Sequence, residues 1–283
     1  MKQSRMDRAA FEGVELEYEV KGSGEWVVLI HAGIFADWFK PLLEETALTE
    51  HYRALSYHRV GYAGSSRLPG PVSIAQQASH CRSLMRRLDI ERAHVVGHSS
   101  GGNIALQLAL DAPDVVRSLS LLEPALLAAP SGPQGAAVIG SSTDLGAVMQ
   151  LYAAGDKAGA LGAFMRGVSG PDYHVILEQS LPDGAFEQAV ADADTFFGQE
   201  LPAVRQWPFT REDASRVTQP VLAVIGAKST EVSSVFGKRQ ELLLAWLPNV
   251  EAFVLPDAWR LLHVQNPGGM AQGLAAFFGR HPL

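Results

Sequence analysis

The chain has 283 residues, 47% of them apolar and 19% charged, which is enough to bury a core and excludes a disordered chain. Its 23 Lys and Arg against 30 Asp and Glu leave a net charge of −7, which argues against a nucleic-acid binder, since such a protein needs a basic face to replace phosphate counterions. A single cysteine, Cys81, excludes an internal disulfide and a multi-cysteine metal site, and no apolar run approaches the ~18 residues of a membrane span.

Residues 1–20 contain basic side chains but no apolar stretch of the signal-peptide kind. The alternation in VELEYEV (14–20) predicts a half-buried antiparallel strand. A Gly-rich turn leads to WVVLI (26–30), a continuous apolar run expected for a strand buried on both faces. A helical stretch is predicted over 36–47 and a strand over 52–57. Residues 72–88 read as a helix opened by Ser73 and Gln76 at capping-box spacing. A short buried strand over 94–97 runs into a helix over 103–110, which stops before Asp111-Ala112-Pro113. Further strands over 116–122, 221–225 and 251–255, with helices over 234–246 and 269–278, complete the series.

Strands alternating with helices predict an α/β fold with a mostly parallel sheet and an antiparallel start. The alternation breaks between about 130 and 216, a stretch rich in Ala, Gly and helix formers with no convincing buried strand. Residues 1–127 and 217–283 are therefore expected to form the core, and 128–216 a helical insertion within it.

Gly97-His98-Ser99-Ser100-Gly101 fits G-x-S-x-G, with a buried strand running in and an Ala/Leu-rich helix running out. A strand turning abruptly into a helix lifts its central serine out of the sheet, and the crowded backbone requires small neighbours. The N–H groups at the helix start then face charge developing beside that serine. A serine hydroxyl needs a base, an acid to orient the base, and oxyanion donors. The Ser100 N–H, directly after the nucleophile, is the first expected donor. The turn His31-Ala32-Gly33-Ile34, directly after WVVLI, supplies the second, Gly33, with Ile34 beside it.

Four features together resemble the α/β-hydrolase superfamily: the His31-Ala32-Gly33 turn, the segment His58-Arg59-Val60-Gly61-Tyr62-Ala63-Gly64-Ser65, the elbow at Ser99, and the helical insertion after the next strand. The second is similar to the family's D-x-R-G-x-G-x-S turn. The resemblance covers nearly the whole chain and implies an eight-stranded sheet with a helical cap over the site.

Two positions depart from the family pattern. The histidine usually follows the last strand after a small residue, and the position that aligns with it here is Arg260, preceded by Trp259. Arginine stays protonated at any useful pH and cannot act as a base. Either a reshaped loop brings His263 to Ser99, or the triad is broken. His98 lies inside the elbow, and its ring is expected to point away from the serine hydroxyl. The acid is irregular too. The turn after 221–225 reads Gly226-Ala227-Lys228-Ser229, with Glu231 beyond it. The superfamily's other place for the acid, the end of the strand after the elbow helix, holds Glu123, and a carboxylate there faces the active-site edge of the sheet. Glu123 is favoured over Glu231.

These residues predict a cofactor-independent, cytoplasmic serine hydrolase acting on a small to medium apolar ester, thioester or lactone. Ser99 would attack, His263 carry the proton and Glu123 orient it, while Gly33 and Ser100 hold the oxyanion. Ile34, Trp259 and Arg260 would contact the substrate, with apolar contacts from cap residues such as Phe164, Met165 and Phe196. No metal, nucleic acid or membrane is expected to take part. The alternative is a protein of the same fold whose impaired triad binds a small ligand or runs a non-hydrolytic reaction.

Overall fold

The computed structural model describes residues 6–126 and 144–283. Its sheet has eight strands in the order β1-β2-β4-β3-β5-β6-β7-β8. They are β1 (Asp7–Phe11), β2 (Val14–Lys21), β3 (Glu25–Ile30), β4 (Tyr52–Tyr57), β5 (Ala93–His98), β6 (Val116–Leu122), β7 (Val221–Gly226) and β8 (Val250–Leu255). β1 pairs with β2, and β2 with β4, in antiparallel fashion; every later pairing is parallel. The expected α/β architecture and its antiparallel start are therefore present.

Alternation within the central strands divides the core into two layers. Val28 and Ile30 of β3 face one side, where α3 (Ile74–Arg87), α4 (Ser100–Asp111) and part of α12 (Ser234–Trp246) pack. Val27 and Leu29 face the other, against α1 (Lys40–Leu43), α2 (Thr46–Thr49) and α13 (Pro267–Gly279). α3 begins with the expected capping box: the Ser73 side chain accepts from Gln76 N–H, and Gln76 accepts from Ser73 N–H. Its apolar stripe, which includes Ile74, Ala78, Cys81 and Leu84, is buried.

The sequence pattern misplaced two elements. β1 (DRAAF) was not anticipated, because only Ala9 of its five residues is buried and the apolar signal is weak. The helix expected over 36–47 is two separate turns, α1 and α2, broken at Glu44 and Glu45.

Between β6 and β7 the described residues carry α5 (Leu145–Ala153), α6 (Lys157–Ser169), α7 (Tyr173–Ser180) and α8 (Ala185–Ala191). A π-helical turn (Thr195–Glu200), α9 (Leu201–Gln206) and α10 (Arg211–Arg216) follow. The start of the insertion expected at 128 lies outside the described residues. α5 to α8 and the π turn form an apolar cluster of their own, which meets the core through Ile34, Phe35, Trp38 and Leu261. α11 (Ser229–Val232) lies between β7 and α12. None of the described helices is long and apolar enough to cross a membrane.

Candidate active site

Ser99 sits where β5 ends and α4 begins, at φ 54° and ψ −121°, a conformation that L residues avoid unless the surrounding structure enforces it. Two close approaches enforce it here. A Cβ on Gly97 would lie 2.4 Å from Gly101 O, and one on Gly101 would lie 2.1 Å from Ile30 O. Ser99 N–H donates to Leu122 O (3.0 Å), and Ser99 O accepts from Ala125 N–H (3.1 Å), which ties the turn to the end of β6. The serine lines a cavity of about 90 Å³ with Ala32, Gly33, Ile34 and Ser100. Trp38, His98 and Arg260 complete its core side, and Phe164, Met165 and Phe196 reach it from the cap.

The structure brings Gly33, Ile34, Ser99, Ser100 and Arg260 to one cavity. The turn at Gly33 is held by its carbonyl, which accepts from Trp38 Nε1–H at 2.8 Å and from Phe35 N–H at 3.0 Å. Ile34 has φ 77°. His31 serves as a structural pin, not a ligand contact. Its Nδ1–H donates to Ala32 O (2.6 Å), and its Nε2 accepts from Arg59 N–H (3.0 Å).

Glu123 lies at the end of β6, buried, with φ 43°. Its Oε1 accepts from Gly226 N–H (3.0 Å) and from the Ser229 hydroxyl. Its Oε2 is buried without a hydrogen bond, 3.5 Å from Arg260 Nη1. Arg260 thus stands beside the acid where the resemblance implies an imidazole. Its Nη1 donates to Glu123 O (3.2 Å) and to His98 Nε2 (3.0 Å), and its guanidinium lies 5.3 Å from the Phe236 ring centre. Burial lowers the Arg260 pKa, and Glu123 partly restores it. Glu231, the other carboxylate considered, is exposed in α11.

His263 is not among the residues lining the cavity. It is fully buried beneath, stacked on Phe39 with ring centres 4.5 Å apart, and its Nε2–H donates to Trp38 O at 3.0 Å. Burial pushes it down to about 3, with the Trp38 carbonyl opposing and the Arg260 charge adding to the fall. The loop is therefore not reshaped in the way that would deliver His263 to Ser99. The 3₁₀ turn over Leu262–Val264 turns that ring into the core, and Arg260 reaches the cavity in its place.

His98 is among the residues lining the cavity, and its ring nitrogens make no hydrogen bond to Ser99. Its Nε2 is taken by Arg260, its Nδ1 is buried without a partner, and burial followed by the Arg260 charge holds its pKa well below the usual range. Trp259 does not line the cavity. Its indole N–H donates to Ser169 O at the end of α6 (3.0 Å), fixing the loop to the cap.

One wall residue had no sequence signal. Glu200, at the end of the π turn, lines the cavity and is 2% exposed. Arg59 Nη2 donates to both of its oxygens (3.1 and 2.9 Å), and the Tyr62 hydroxyl donates to Oε2. Nearby, Asp192 accepts from Ala63 N–H (2.8 Å) and Arg67 (2.5 Å), and the Thr195 hydroxyl donates to Gly61 O (2.7 Å). The 58–65 segment that carried part of the resemblance thus anchors the cap. No group of three or more His, Cys, Asp or Glu among the described residues is placed to hold a metal ion.

Residues 25–162 match the family described as the alpha/beta hydrolase fold. Over 116 residues, 41% of this chain and 31% of the relative, the chain is 36% identical to the dihydrolipoyllysine-residue acetyltransferase component of the acetoin cleaving system of Cupriavidus necator. It is 36% identical over 110 residues, 38% of this chain and 40% of the relative, to a putative carbamate hydrolase, RutD, of Azorhizobium caulinodans. The chain thus spans between about a third and two-fifths of the length of these curated relatives. A hydrolase from Pseudomonas aeruginosa superposes with TM-score 0.71 at 26% identity, covering 98% of this chain and 99% of that one. With its eight-stranded sheet, its serine at a strained strand-to-helix turn and these likenesses, the chain has the alpha/beta hydrolase fold.

Proposed function

We propose that the protein is a cofactor-independent hydrolase that uses Ser99 against small, largely apolar ester or carbamate carbonyls, without a histidine base. The observation that carries this reading is the Ser99 backbone, held at φ 54° in the wall of a mostly apolar cavity at the start of α4. Such strain persists only where its surroundings impose it. In this reading the Ser100 and Gly33 N–H groups, whose residues line the same cavity as Ser99, would hold the oxyanion.

In this reading Ser99 Oγ bonds to the carbonyl carbon while its proton passes to water. The alcohol leaves after taking a proton from water, and a second water cleaves the acyl-enzyme to free acid and serine. Arg260 stays protonated, and Glu123 has no imidazole to orient. Turnover therefore lacks the ~10²–10⁴-fold contribution of a positioned base. The carbonyl class draws on the likeness to the putative carbamate hydrolase and on the apolar cap residues around the cavity.

A second reading, a small-ligand-binding protein, is favoured by the same arginine in the base position. Labelling with a fluorophosphonate separates the two. Wild type is expected to label slowly, Ser99→Ala not at all, and His263→Gln at the wild-type rate when the folded fractions match. Faster labelling of wild type than of His263→Gln would return His263 to the chemistry. Wild type that neither labels nor turns over p-nitrophenyl esters would leave the binding reading.

A further inference from the structure

The charges around the Ser99 cavity do not balance. Two guanidinium groups act on the single Glu123 carboxylate: Arg260, with Nη1 3.5 Å from Glu123 Oε2, and Arg239 through its charge. Arg239 Nε is buried without a partner, and burial together with the Arg260 charge pushes the Arg239 pKa down to about 10, which leaves it protonated at neutral pH. The acid in the cavity wall, Glu200, is already taken by Arg59 and Tyr62. One positive charge is therefore left over on the Arg260 side.

Of the two guanidinium groups sharing Glu123, Arg260 lines the cavity and Arg239 does not. Arg260 Nη1 is occupied by His98 Nε2 and Glu123 O, and its Nε and Nη2 donors have no partner among the described residues. The Ser100 hydroxyl, in a residue 4% exposed that lines the same cavity, also has no partner. The Ser99 hydroxyl and the free N–H groups at the start of the twelve-residue α4 share that wall. A guanidinium removed from water without a full set of acceptors is unfavourable, and its planar fork matches a carboxylate better than any neutral group. The rest of the lining is apolar: Phe164, Met165, Val168 and Phe196.

We propose that the Ser99 cavity holds a small apolar monocarboxylate, and that Arg260 selects it. The proposal rests on this cavity being the working site, and in the hydrolase reading such a carboxylate is the acid half of the ester. The carboxylate takes the unused Arg260 donors and the Ser100 hydroxyl, while a short hydrocarbon tail lies against the cap side chains.

The test is a matched pair of probes, pentanoate and its neutral isostere pentanamide, titrated calorimetrically into the whole chain. Wild type is expected to bind pentanoate at least tenfold more tightly than pentanamide, and Arg260→Met to lose that preference. Ser99→Ala should keep it while losing fluorophosphonate labelling. Equal affinity for the two probes, or no binding of either, overturns the proposal on wild type alone, whether or not the Arg260 variant folds. A preference retained in folded Arg260→Met overturns it as well. Carboxylate preference without labelling would sink the hydrolase reading and keep this one; labelling without the preference would do the reverse.

Discussion

A guanidinium beside Glu123 alters proton transfer more than it alters shape. The acid is still buried at the end of β6, with Oε1 satisfied by Gly226 and Ser229 and Oε2 free to accept. An imidazole at 260 would find that oxygen ready for its N–H. Arg260→His, alone or with Trp259→Gly to release the loop from Ser169, is therefore expected to raise p-nitrophenyl ester turnover by ~10²–10⁴-fold. The variant should also lose activity as pH falls through ~6.5, where an unperturbed imidazole takes up its proton, whereas wild type should show no such limb. An active wild type with no gain in the variant would mean that another group already takes the proton. That Arg260 stands where the family pattern has its histidine was legible from the resemblance. The direction of the His263 ring was not, because it depends on the short 3₁₀ turn and on stacking against Phe39, a residue 224 positions earlier in the chain.

At the scale of elements, the strongly patterned pieces were readable and the weak or cooperative ones were not. β3, β5 and α3 announce themselves through continuous burial or a capping box. β1 is held by pairing with β2 and has little apolar pattern of its own. The π turn over Thr195–Glu200 has no sequence signature, yet it brings both Phe196 and Glu200 to the cavity. π turns add a residue to a helical turn and are common at functional sites. Its fit depends on Gly33: a Cβ there would lie 2.6 Å from the Phe196 ring and 2.8 Å from Glu200 Oε1. Gly33→Ala is expected to displace the π turn, destabilise the fold by ~1–3 kcal/mol as other overpacked sites do, and slow fluorophosphonate labelling. Chemical denaturation and labelling rate check the two parts separately. Unchanged values in both would show that the cap does not rest on this glycine.

Across the whole molecule, polar groups fasten the cap to the sheet domain beside the apolar contacts of Ile34, Phe35, Trp38 and Leu261. Glu200, Asp192 and Thr195 engage the loop at 59–67, and Trp259 secures α6. The most buried of these contacts is Arg59–Glu200, with side-chain exposures of 1% and 2%. Removing one member of such a pair leaves the other charge stranded, at ~3–5 kcal/mol. Arg59→Met is thus expected to lower stability by about that amount in equilibrium unfolding, and to open the 144–216 region to limited proteolysis before the sheet domain. A loss well under ~1 kcal/mol would place the pair among surface-like contacts.

The surplus positive charge at Arg260 and Arg239 lies inside a molecule whose net charge is −7. An anion approaching from beyond a Debye length, ~10 Å at 0.1 M salt, meets the repulsive field of the whole surface before it meets the guanidinium. Added salt screens the outer field more than the buried one. If the cavity takes a carboxylate as proposed, moderate ionic strength is therefore expected to quicken its capture, the reverse of electrostatic steering, and low salt to slow the encounter even where the final complex is tight.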